Sequence, residues 1–309
     1  MEFVPFAAKD FDAYLEKKWQ SNAFNRERLE VREKLEALGR LLTPTMVGAD
    51  GSPLECDVSA EHPALWNQRR VENQHLFFCR DKDARREIDT IISKKRTMAA
   101  LIEDPSPLRN HIFLGVMIDQ GQVELSLKLH SDAAVDRENV TRKCQEYFQR
   151  EKLLALIQGL REGYQVGIQG QEARPGSELS DETLQKLLHD LPGADSWLTV
   201  RRSFSRDDPL VQQLAFVDAV RDGLATLLPL YAFAAWSRDN DFVSIRDTLK
   251  QREVKKKSRG LVKNDRVRVV RGVFSGKTGV VQGTDAKGGL RVLLGSMVVK
   301  LAGDDVAKI

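Results

Sequence analysis

The chain has 309 residues, 41% hydrophobic and 30% charged, a profile that suits a soluble globular protein of two domains. The longest apolar run, Leu224 to Trp236, is too short to span a membrane, and the amino terminus lacks the basic segment and apolar core of a signal peptide, so a cytoplasmic location is expected. The net charge is only +3, but it is unevenly spread: Arg246 to Ile309 holds 16 Lys/Arg against 6 Asp/Glu, a net of +10, and residues 1–245 hold 32 against 39, a net of −7.

The amino-terminal segment reads as helical. Ala8-Lys9-Asp10-Phe11 opens a helix, with Asp10 as its cap and Phe11, Tyr14 and Leu15 on one face. A stronger helix covers about residues 25–42, with Leu29, Leu35, Leu38 and Leu42 near helical spacing. Thr43-Pro44 stops it, and Gly48 to Pro63, rich in turn formers, is expected to be a loop. His75 to Cys79 and His111 to Ile118 are candidate strands, and Asp119-Gln120-Gly121-Gln122 is a hairpin turn. Beyond it Val123, Leu125, Leu127 and Leu129 alternate with Glu124, Ser126, Lys128 and His130, which predicts a strand with one buried face.

A helix over about 135–160, strands over 164–168 and 198–204, and a helix opening at Asp208-Pro209 and ending near Tyr231 follow. Helices flanking a mostly antiparallel sheet make residues 1–245 an α+β domain. Residues 246–260 form a basic linker, either a frayed helix tail or a solvated tether. Cys56, Cys79 and Cys144 show no metal-ligand spacing, so reduced thiols are expected and no metal site is assigned. Gly167-Ile168-Gln169-Gly170 lacks a phosphate-loop lysine and the third glycine of a dinucleotide turn, and no cofactor is implied.

Residues 261–309 change character. Val267, Val269 and Val270 lie in a strand, with Arg266 and Arg268 on its other face. Gly272, Gly276 and Gly279 then allow tight turns before Val280-Val281 starts the next strand. Leu290 to Leu294 and Met297 to Leu301 make two more strands, and Val306 to Ile309 is positioned to close a small all-β barrel.

The phrase from Lys263-Asn264-Asp265-Arg266-Val267 through Gly272, Gly276, Gly279 and Val280 resembles the KOW motif. Gly272 matches the glycine that follows the family's first strand. Asp265 stands where the motif has Gly-Asp, with Asn264 in place of the glycine; Asn tolerates left-handed backbone, so the turn should survive. The resemblance implies an SH3-like barrel. KOW domains occur in transcription factors of the NusG type and in ribosomal proteins, so it also implies RNA or DNA, the ribosome or RNA polymerase, or another protein as partner, in transcription or translation. Residues 1–235 are similar, more weakly, to the YktB-like bacterial family of unknown function. That likeness rests on the helix–strand order, the Phe11-Asp12 opening and the phrase Leu224-Ala225-Thr226-Leu227-Leu228-Pro229-Leu230-Tyr231, and it lends a fold only.

The candidate nucleic-acid contacts are Lys255, Lys256, Lys257 and Arg259 in the linker and Lys263, Arg266, Arg268, Arg271, Lys277 and Arg291 beyond it. Such charges more often form an ordinary solvated surface. Phe274 is either a stacking platform at a loop tip or a plug in the barrel. His62, His75, His111, His130 and His189 have no partner at diagnostic spacing, and no catalytic residue is assigned. His111 and His130 flank one hairpin, which makes either a site or a pair of satisfied surface histidines. Three readings therefore stand: a non-enzymatic binder of nucleic acid or nucleoprotein, an enzyme whose α+β domain holds the active site, and a protein-interaction scaffold.

Overall fold

A computed structural model describes residues 3–48, 51–64, 67–92, 109–193, 196–244, 261–284, 289–302 and 305–309. The chain divides into two compact units, Met1–Val243 and Ser244–Ile309.

The larger unit is mixed α+β. Its helices are α1 (Ala8–Asp12), α2 (Asn25–Leu42), α3 (Lys82–Ile92), α4 (Ala134–Lys143), α5 (Tyr147–Gln158), α6 (Asp181–Asp190) and α7 (Phe216–Ala234). Its strands are β1 (Glu55–Val58), β2 (Gln74–Cys79), β3 (Phe113–Ile118), β4 (Gln122–His130), β5 (Gln165–Ile168), β6 (Arg174–Pro175) and β7 (Trp197–Ser205). They form one sheet in the order β1-β2-β3-β4-β7-β5-β6, antiparallel at every pairing. The β3–β4 turn forms because the Asp119 carboxylate accepts the Gly121 and Gln122 N–H groups at 2.7 and 3.0 Å. Strand β4 lies at the centre of the sheet and pairs with β7 from Gln122↔Ser205 to His130↔Trp197.

One face of this sheet carries the main core. Leu76, Leu114, Val116, Leu125, Leu127 and Val200 meet Val31, Leu35, Leu38 and Leu42 of α2 and Val220, Leu224 and Leu227 of α7 in one buried cluster. Helix α7 comes so close that a Cβ at Gly223 would collide with Leu125 Cδ1, and the Tyr164 hydroxyl donates to the Gly223 carbonyl at 2.8 Å.

Several local expectations change. Asp10 sits inside α1, where its carboxylate accepts the Ala7 N–H and pairs with Lys34 of α2, both at 2.6 Å; Ala7 holds the cap position. Leu29 is exposed, and the buried positions of α2 include Arg28, whose guanidinium donates to the Lys18 and Ser21 carbonyls. The expected loop from Gly48 to Pro63 contains β1, the sheet's edge strand. The expected helix over 135–160 breaks into α4 and α5 because Glu146 turns extended, with ψ 124°, and Arg150 donates to the freed Cys144 carbonyl. Asp208 caps only a single 3-10 turn, Pro209–Gln212; Gln213 is extended, and α7 begins at Phe216.

The largest change concerns β4. Both of its faces are buried, including Glu124, Ser126, Lys128 and His130. Lys128 Nζ lies 2.9 Å from Glu124 Oε1, and Arg201 Nη1 of β7 lies 3.5 Å from Glu124 Oε2. Opposite charges two rungs apart on one strand face neutralise each other, and this makes a polar face tolerable away from water.

The smaller unit is a five-stranded antiparallel sheet of β8 (Arg266–Val269), β9 (Thr278–Thr284), β10 (Leu290–Leu294), β11 (Met297–Leu301) and β12 (Val306–Lys308). The order is β11-β10-β9-β8-β12. Alternate residues Val267, Val269, Val281, Leu290, Val292, Leu294 and Val306 make its own hydrophobic cluster. Among the described residues no helix is long and apolar enough to cross a membrane.

Candidate nucleic-acid interface

The turn entering β8 is built by the backbone of Asn264 and the side chain of Asp265. Asn264 takes the left-handed backbone at φ 80°, and its N–H donates to the Val281 carbonyl at 2.8 Å. Asp265 accepts the Val262 N–H at 2.9 Å and pairs with Lys308 Nζ at 2.9 Å. The Lys308 ammonium and the Val262 N–H hold its carboxyl below the usual carboxylate range. The β8–β9 connection needs positive φ at Gly272 and Gly276, at 84° and 86°, and is closed by the Gly276 N–H to the Val269 carbonyl at 2.7 Å. Gly279 answers a different demand: a Cβ there would strike the Leu293 carbonyl of β10.

This framework sends the basic side chains outward. Arg266 and Arg268 alternate with the buried Val267 and Val269. Across the sheet Arg266 faces Val280, Val280 faces Leu293, and Leu293 faces Val298. Arg268 faces Thr278. Arg291 faces Gly283 on one side and Lys300 on the other. Regular alternation along β10, with Leu290, Val292 and Leu294 buried, puts Arg291 on the outer side with Leu293, and the register shift beside it is taken up by β9. Lys263, Arg266, Arg268, Arg271 and Arg291 are exposed, and none makes a side-chain hydrogen bond or ion pair among the described residues. Lys308 is paired with Asp265, and Lys277 Nζ lies 5.8 Å from the Phe274 ring centre. These five cations have no counter-charge among the described residues.

Phe274 is half-buried and packs against the hydrophobic cluster of this unit. The apolar residue that projects from the turn is its neighbour Val273, 96% exposed. Lys255, Lys256, Lys257 and Arg259 lie outside the described residues.

In the larger unit the two hairpin histidines have separate neighbours. His111 is buried with Nε2 3.5 Å from Asp89 Oδ1, and burial lowers its pKa against the pull of Asp89. His130 Nδ1 accepts the Asp132 N–H at 3.0 Å, and its ring meets Trp197 at 4.5 Å between centres. The group that sequence reading missed is the buried face around Glu124 and Lys128. His75 of β2 belongs to it: its pKa lies well below the ordinary value, through burial first and then the Lys128 charge. Its Nδ1 and the Ser126 Oγ are buried without hydrogen-bond partners among the described residues. The signal available in the sequence was the Glu124/Lys128 pair at i, i+4 on a strand, where both side chains share a face.

A cavity of about 230 Å³ opens beside Arg80, Tyr231 and Trp236. Arg80 pairs through Nη2 with the buried Asp136, its Nη1 being buried without a hydrogen-bond partner among the described residues, and Arg238 pairs with Glu87. Asp136 also accepts the Ile112 and Trp236 N–H groups at 3.0 and 2.8 Å, so this cluster ties β3 and the end of α7 to α4. No family model matches the chain, and no curated protein matches it.

Proposed function

We propose that the protein binds nucleic acid or a nucleoprotein assembly through its carboxy-terminal unit. In this reading the five-stranded sheet is a KOW-type, SH3-like barrel. The basic segment Lys255, Lys256, Lys257 and Arg259 extends its contact surface, and the α+β unit supplies a second contact or regulates the first. RNA or DNA, presented by the ribosome or the transcription machinery or free, is the partner class. The observation that carries the reading is the set of five exposed cations, Lys263, Arg266, Arg268, Arg271 and Arg291, that have no ion-pair partner among the described residues. Unneutralised charge on one small unit costs self-repulsion, and a phosphate polyanion relieves it.

Fluorescence anisotropy of the full chain with labelled RNA and DNA tests the reading. With about four phosphates engaged, affinity falls about a hundredfold between about 50 and about 200 mM salt. Absence of binding to either polymer at low salt would defeat it. A second reading, a protein-binding barrel, has its own support in the apolar strip on the same surface: Val280 and Leu293 run into Val298, which is 50% exposed. Partners that persist in a nuclease-treated pull-down favour that second reading.

A further inference from the structure

We infer that the carboxy-terminal unit recognises the sugar-phosphate backbone of a polynucleotide and not its bases. This rests on the nucleic-acid reading above and narrows it to one ligand chemistry, a phosphodiester polyanion.

Two observations carry the inference. The first is aromatic content. From Arg246 to Ile309 the chain contains a single aromatic residue, Phe274, and its ring packs against the hydrophobic cluster of the unit beside Lys277. Sheets that hold single-stranded bases stack them chiefly on aromatic side chains of the open face, with arginine planes as a lesser platform. Here the outward positions include Arg266, Arg268, Thr278, Val280, Arg291, Leu293, Val298 and Lys300, and none offers an aromatic ring.

The second is the donor type. Arg266, Arg268 and Arg291 carry planar guanidiniums with no hydrogen-bond or ion-pair partner among the described residues, and that fork matches phosphate oxygens. Arg266 and Arg268 stand on one strand face two residues apart, about 6.6 Å along the strand, so they meet separate phosphates.

The test uses the full chain bound to a labelled single-stranded oligonucleotide. The competitors are an unlabelled oligonucleotide of the same length and an abasic deoxyribose phosphodiester of that length. One stacked base strengthens binding by about fivefold or more. The abasic polymer is therefore expected to compete within about fivefold of the base-bearing one. The triple variant Arg266→Gln/Arg268→Gln/Arg291→Gln should weaken RNA and DNA alike and flatten the salt slope by about two to three units. An abasic polymer more than about fivefold weaker overturns the inference while leaving nucleic-acid binding in place. An unchanged salt slope in the triple variant overturns it also. If no polynucleotide binds at low salt, the reading it rests on fails with it.

Discussion

His75 stands on the buried polar face of the larger sheet, with no hydrogen-bond partner for its Nδ1 among the described residues and the Lys128 ammonium among its neighbours. Burial, and then that like charge, hold its pKa well below the usual histidine value, and burial lowers His111 as well. A depressed histidine pKa means that the unfolded chain takes up the proton first. Stability is therefore complete above the ordinary histidine pKa of about 6.5 and is lost as pH falls below it, at up to about 1.4 kcal/mol per pH unit for each group. Urea unfolding at pH 7.5 and 5.5 is expected to show this loss, and His75→Leu to reduce it. Asp136 makes a sharper case. It is fully buried and serves Arg80, the Ile112 N–H and the Trp236 N–H together. Asp136→Ala leaves a buried guanidinium without its partner and is expected to cost about 3–5 kcal/mol in the same measurement.

Strand β4 holds its polar face inside by internal pairing, so the members of the pair depend on one another. Glu124→Ala strands Lys128 beside His75 and Ser126 and is expected to destabilise by about 3–5 kcal/mol. The double change Glu124→Leu/Lys128→Met removes both charges, and it is expected to be less damaging than Glu124→Ala, with Arg201, partly exposed, left free to turn to water. Chemical unfolding of the two variants checks the order. In the smaller sheet the decisive element contact lies at Gly279, where β9 crosses β10 against the Leu293 carbonyl. Backbone cannot rotate away as a side chain can, so Gly279→Ala is expected to cost about 1–3 kcal/mol. Gly272→Ala meets no atom within 4 Å and strains only its own φ of 84°, at about 1 kcal/mol. Calorimetry of the two variants should rank them in that order.

The whole chain joins two units with separate hydrophobic clusters, one around β4 and α7 and one around Val267 and Val292. A chain ending at Val243 is therefore expected to keep a cooperative unfolding transition and to lose salt-sensitive polynucleotide binding, which circular dichroism and anisotropy check on one preparation. Much of this organisation was legible in the sequence. Helix α2, the hairpin at Asp119, the valine and leucine alternation of β4, and the turn at Asn264 follow from propensity and spacing among near neighbours, and such forces act before any tertiary contact forms. The basic excess after Arg246 is likewise a property of composition. Tertiary structure alone decided the rest. The break between α4 and α5 depends on Arg150 reaching the Cys144 carbonyl. Phe274 looked equally fit for a loop tip or a core until the valines of β8 and β9 gathered beneath it. The alternation along β4 assigned one face to the core, but only the placement of Lys128 and Arg201 around the Glu124 carboxylate shows how the other face is buried as well. Local pattern records which residues share a face; whether water reaches that face depends on what the rest of the chain brings to it.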